Sequence, residues 1–158
     1  MSTYKQSIPQ ADTLMGSMRS MGYSFEAAIA DVIDNSISAN CNVVKLFFPS
    51  KPTDELVVGI LDDGEGMSAD VLFEAMRYGS TDAELERRAN DLGRFGLGMK
   101  SASLSQCRIL TVVSMNADKL SSYSWDFNCI QERKEWIVKE LSQTEINKTH
   151  RHFIYQIL

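Results

Sequence analysis

The sequence predicts an α+β domain, a two-layer sandwich with helices on one face of a mixed, mostly antiparallel sheet. Three observations lead there. Helix signals fill the first third of the chain, strand-like runs joined by short turns dominate the end, and 158 residues suit one domain with its own core. A composition of 44% hydrophobic and 23% charged residues is that of a folded globular protein rather than a disordered chain.

The elements follow in order. In "ADTLMGSMRSMGYS" (11–24), Met15, Met18 and Met21 recur every three residues, which fits a helix face packed into a core better than a cofactor box. Ser24 is an N-cap for a helix over roughly 25–40, with Ile29, Val32, Ile33 and Ile37 on one face. Strands are expected at "NVVKLFF" (42–48) and "ELVVGIL" (55–61), separated by the turn signal "PSKPTDE". The second strand runs into "DDGEGM" (62–67), and Ser68 caps a short helix through about Arg77. The charged segment "TDAELERRAND" (81–91) leads to "LGRFGLGMKSAS" (92–103), from which a helix starts at Gly98 and reaches Cys107. Strand-like runs close the chain at "CRILTVVSM" (107–115), "KLSSYSWDF" (119–127) and "EWIVKEL" (135–141).

Several function classes are disfavoured. The longest run free of polar side chains, "LVVGIL" (56–61), is far too short to span a bilayer, and "MSTYKQSIPQ" has no apolar signal core. No membrane partner and a cytoplasmic location are therefore expected. Cys41, Cys107 and Cys129 are odd in number and lack metal-type spacing, which favours reduced thiols over a disulfide frame. His150 and His152, the two histidines, read as surface residues. A net charge of −5 argues against this domain alone being a general nucleic-acid binder.

Three polar clusters carry the chemistry. Asp31, Asn35 and Ser38 fall at i, i+4 and i+7, on a stripe opposite the isoleucines. A carboxylate and an amide one turn apart could orient a water and ligate a hard cation such as Mg²⁺; a solvated polar face gives the same pattern. Asp62 ends a strand, where it could accept a hydrogen bond from an exocyclic amine while Gly64 and Gly66 admit a flat ring; an acidic turn is the alternative. The spacing of glycines and acids does not fit an EF-hand loop. In the third cluster, Met99 separates Gly98 from Lys100, so the P-loop pattern fails, and Ser101 stands where a dinucleotide fingerprint needs glycine. A glycine-rich turn into a helix N-terminus still offers free N–H groups and a positive dipole end to an anion, although a hinge has the same composition.

The order and spacing of these clusters resemble the GHKL ATPases, the superfamily of gyrase B, the ninety-kilodalton heat-shock chaperone, sensor histidine kinases and MutL. "AIADVIDNSISA" (28–39) resembles the asparagine box, "DDGEGM" (62–67) the first glycine box and "GRFGLGMKSAS" (93–103) the second. With "AMRYGSTD" (75–82), the last of these is most similar to the Microrchidia (MORC) branch and its stand-alone prokaryotic relatives. The resemblance covers about residues 22–115.

The resemblance implies a Bergerat-type fold that binds ATP with Mg²⁺. Asn35 would ligate the metal, Asp62 would accept the adenine amine, Gly66 and Met67 would line the base, and Ser38 would touch the adenine side. Residues 79–95 would form a lid. Gly96, Leu97, Gly98, Met99 and Lys100 would hold the β- and γ-phosphates, with Arg94 and Phe95 just before them in the nucleotide-binding set. Asp31 stands where the family usually has a glutamate base, and its carboxylate is shorter by one C–C bond, about 1.5 Å. A positioned base is worth roughly 10²–10⁴ in rate, so reach matters. Ser38 is a second departure, since many relatives carry aspartate there. The Gly-Thr pair that completes the family's adenine pocket is missing, as is a transducer domain with its lysine, so the expectation is an N-terminal part of a longer protein with an incomplete C-terminal end. The function expected is ATP binding and hydrolysis driving lid closure and self-dimerisation of that protein, with turnover slow or absent in the isolated domain and DNA contacted through other domains. The alternatives are a non-catalytic nucleotide sensor and a protein kinase of the same fold.

Overall fold

The computed structural model describes residues 5, 7–20, 22–51, 57–77 and 98–149, with backbone only for 98–100 and 149. Its elements are α1 (Ala11–Arg19), α2 (Phe25–Ser38), β1 (Val44–Phe47), β2 (Gly59–Asp62), α3 (Ala69–Met76), α4 (Gly98–Gln106), β3 (Ile109–Asn116), β4 (Lys119–Asp126), α5 (Phe127–Arg133), β5 (Lys139–Glu140) and α6 (Gln143–Thr149). The fold is α+β, as the sequence predicts. β1 pairs antiparallel with β2, and β3, β4 and β5 form a second antiparallel sheet in that order. Every strand pair among the described residues is antiparallel, and the β-structure is split into two sheets.

Helix starts follow the capping residues. Ser24 accepts a hydrogen bond from the Ala27 N–H at 3.2 Å and Ser68 from the Val71 N–H at 3.4 Å, each satisfying a donor that the first helical turn leaves free. The β3–β4 hairpin closes at Asn116 and Lys119, with Ala117 and Asp118 both at positive φ, as a tight turn matched to strand twist requires.

Two helices lie where strands or loops were expected. The strand pattern of "KLSSYSWDF" stops at Asp126, whose carboxylate caps α5 by accepting from the Asn128 and Cys129 N–H groups. Ser142 and Glu145 form a reciprocal capping box that starts α6, with the Ser142 N–H donating to Glu145 Oε2 at 2.9 Å. Of the strand expected at 135–141, only Lys139 and Glu140 pair, with Ser124 and Tyr123.

The core collects Ala11 and Met15 of α1, Leu72 and Met76 of α3, Leu104 of α4, Trp125 of β4, and Phe127 and Ile130 of α5. The Trp125 indole N–H donates to the Met76 carbonyl at 3.0 Å, giving a buried polar atom its partner, and Trp136 meets Trp125 edge-on with centroids 6.2 Å apart. Met15 and Met18 are buried, so the methionine stripe is core packing; Met21 lies outside the described residues.

The α2 helix buries a different line from the one expected. Ala28 and Ser36 are its buried residues, whereas Ile29, Val32 and Ile33 are half-buried and Ile37 is 52% exposed. The reason lies in what α2 packs against. It lies along α4, which buries Ala102 as well as Leu104, and small residues at a helix contact let the two backbones approach.

Candidate functional site

The site is built around α2 and the turn after β2. Asp31 and Asn35 stand one helical turn apart, and the Asn35 Nδ2 donates to the Asp31 backbone carbonyl at 2.9 Å. That bond engages the nitrogen end of the amide and leaves its oxygen end, the hard donor, for a cation. The Asp31 side chain is half-buried, and its Oδ2 accepts a hydrogen bond from the Tyr23 hydroxyl at 2.7 Å. This bond is the main cause of a raised Tyr23 pKa, with burial and the Asp31 charge adding to it.

Asp62 lies against the same helix. Its Oδ2 accepts from the hydroxyl of Ser36 at 2.9 Å and its Oδ1 from the Gly64 N–H at 3.0 Å. Both carboxylate oxygens are thus fixed in direction while the residue itself remains exposed. Each oxygen keeps a further lone pair with which to accept from an incoming amine. Ser36, at 4% exposure, is the α2 serine that reaches Asp62; Ser38 is exposed near the end of the helix.

The neighbouring carboxylate has other work. Asp63 Oδ1 accepts from the backbone N–H groups of Asn42 and Val43 at 2.7 and 2.8 Å, and those bonds hold its pKa below the usual carboxylate value. The turn that follows is pressed against its surroundings. A Cβ on Gly64 would stand 2.9 Å from both the Cβ and the carbonyl oxygen of Ala39. Gly66 has φ +67°, and a Cβ there would collide with the Met115 carbonyl oxygen, so neither the conformation nor the space admits a side chain. The Met67 N–H donates to Ser114 Oγ at 2.7 Å and the Asn116 amide to the Glu65 carbonyl at 3.1 Å. These contacts seat the turn on the end of β3 and join the two sheets. The Met67 side chain packs against the core cluster.

The α4 helix brings the third cluster. Its C-terminal Gln106 donates to the Tyr23 carbonyl at 2.7 Å, just before α2 begins. Helix α4 also packs against α2. The backbone of Gly98, Met99 and Lys100 forms the first turn of α4. Arg94, Phe95, Gly96 and Leu97, with the expected lid at 79–95, lie outside the described residues.

Some residues were not marked by sequence reasoning. Ser36 sits on a helix face that reads as apolar, and Tyr23 precedes a cap; both act through partners 26 and 8 positions away. No local spacing signals either contact.

Other chemistry is thin. Among the described residues, no group of three or more His, Cys, Asp or Glu side chains gathers to hold a metal ion, and no helix is long and apolar enough to cross a membrane. The cysteines are free thiols, and burial pushes the Cys107 thiol up, away from the nucleophilic thiolate.

Part of the chain is similar to MORC family CW-type zinc finger protein 3 of Mus musculus, at 26% identity over 96 residues. Those residues are 60% of this chain and 10% of that protein, so the chain spans about a tenth of the relative's length. The family model described as histidine kinase-, DNA gyrase B-, and HSP90-like ATPase matches residues 23–154, from the Tyr23 that touches Asp31 to beyond the last described strand. By that match, over most of its length, the chain belongs to the histidine kinase-, DNA gyrase B- and HSP90-like ATPase family.

Proposed function

We propose that this domain binds ATP with Mg²⁺ between α2, the turn after β2 and the N-terminus of α4, and hydrolyses it. The observation that carries the reading is the fixed Asp62 carboxylate. It is held by Ser36 and Gly64 beside the helix that bears Asp31 and Asn35. On this reading Asp62 accepts the adenine amine, Gly66 lets the base approach the backbone, and Met67 forms the apolar floor next to it. Ser38, one turn from Asn35, borders the adenine side.

The residues present suit Mg²⁺. This cation keeps much of its water and takes one or two protein oxygens plus the phosphates, so a lone amide oxygen from Asn35 is a fitting contribution and a carboxylate cage is not needed. When bound, the ion would neutralise charge on the phosphates. Gly96, Leu97, Gly98, Met99 and Lys100 are proposed to hold the β- and γ-phosphates, chiefly through N–H groups at the start of α4, with Arg94 and Phe95 beside them. Asp31 is the proposed general base, accepting a proton from the attacking water. In the longer protein this reading envisages, residues 79–95 close over nucleotide and two copies then associate. DNA contacts would belong to its other domains, and the cytoplasm is the proposed location.

The test follows phosphate release and Mg·ATP affinity together. Asp31→Ala should abolish release, with a rate loss of roughly 10² or more, while leaving affinity near the wild-type value. Binding without release by the wild type would replace hydrolysis with nucleotide sensing. Undiminished release by Asp31→Ala would remove Asp31 from the chemistry.

A further inference from the structure

We infer that Tyr23 is a positioning residue for Asp31, fixing the carboxylate in the orientation that water activation needs. The inference rests on the hydrolytic reading above and adds a residue to it. The geometry is direct: the Tyr23 hydroxyl donates to Asp31 Oδ2 at 2.7 Å. An aspartate on a helix can still rotate about χ1 and χ2, and a donor held on one oxygen restricts that rotation while leaving Oδ1 for a water. The shorter side chain at this position gains most from such restraint, because it has less reach with which to correct a misplaced oxygen.

Tyr23 is itself held from two sides. Its carbonyl accepts from Gln106 at 2.7 Å, and the residue after it, Ser24, caps α2. Gln106 ends the same helix whose first turn is proposed to hold phosphate. The base and the phosphate-binding turn are therefore joined through one α-helix and two hydrogen bonds. Tyr23 is 37% exposed, and an exposed side-chain bond of this kind adds little to the fold. A phenol is protonated, hence a donor, throughout the neutral range, and the bond to Asp31 raises its pKa further.

The experiment compares wild type, Tyr23→Phe, Asp31→Asn and the double variant by steady-state phosphate release, Mg·ATP calorimetry and thermal unfolding. Tyr23→Phe should lower kcat about 10- to 100-fold, the scale on which an orienting contact or an ångström of placement matters, with KM and Mg·ATP affinity unchanged. In the Asp31→Asn background the same change should have no further effect. Gln106→Ala provides a second variant, which keeps the hydroxyl but frees the Tyr23 backbone, and should show a smaller fall in kcat alone. An unchanged or raised kcat in Tyr23→Phe, with Asp31→Ala inactive, would overturn the inference and leave the hydrolytic reading standing. A parallel loss of kcat, affinity and melting temperature would make Tyr23 structural and overturn it too. Absence of hydrolysis in the wild type would bring down the hydrolytic reading, and this inference with it.

Discussion

Asp62 and Asp63 are adjacent, yet their surroundings give them different tasks. Asp63 is engaged by two backbone N–H groups, and Asp62 is held by one hydroxyl and one N–H with lone pairs to spare. A consequence at the residue scale is a stability contribution with a defined pH window. The Asp63 pKa is lowered from 3.8, first by the Val43 N–H and next by the Asn42 N–H. A carboxyl whose folded pKa is depressed favours the folded state above its unfolded pKa, and that contribution fades as pH falls through the folded value. Asp63→Ala should therefore melt below the wild type at neutral pH, and the gap should narrow as the pH is taken below 3.8. Thermal unfolding followed by circular dichroism across that range checks both the gap and its closure.

At the scale of elements, α4 matters most, because its C-terminal end is tied to the start of α2 and its first turn is proposed to hold phosphate. Arg19 of α1 secures it by donating to the carbonyls of Leu104 and Cys107, where the helix dipole is negative, while its guanidinium lies 5.3 Å from the Phe127 ring centre. Arg19→Met keeps the alkyl stem but removes the donors, and should cost about 1–3 kcal/mol. Urea unfolding is the check, with the midpoint lowered and the slope unchanged. The sequence made the helices with local caps legible: Ser24 and Ser68 each start a helix where a capping residue precedes a periodic run. Asp126 and the Ser142/Glu145 box carry the same chemistry, but the alternating pattern through Trp125 obscured the first and the expected strand at 135–141 drew attention from the second. The Asp31 and Asn35 stripe of α2 was legible as a polar face from its i, i+4 spacing, while the role proposed for it came from the family resemblance. Ser36 was not, because its meaning comes from Asp62, which the fold brings to it from another element.

For the whole molecule, the turn after β2 is the joint. It rests on Ala39 at the end of α2 and on Met115 at the end of β3, so the helical layer and both sheets meet where Asp62 is presented. The adenine-reading role proposed for this joint is tested by calorimetric titration of Mg·ATP into wild type and Asp62→Asn. Asparagine keeps the size of the side chain but replaces one acceptor oxygen with a donor that opposes the adenine amine. A charged hydrogen bond is worth about 1.5–3 kcal/mol, so affinity should fall roughly 10- to 150-fold while the melting temperature stays close to the wild type. Equal affinity in the two proteins, or no binding by the wild type, would contradict the account.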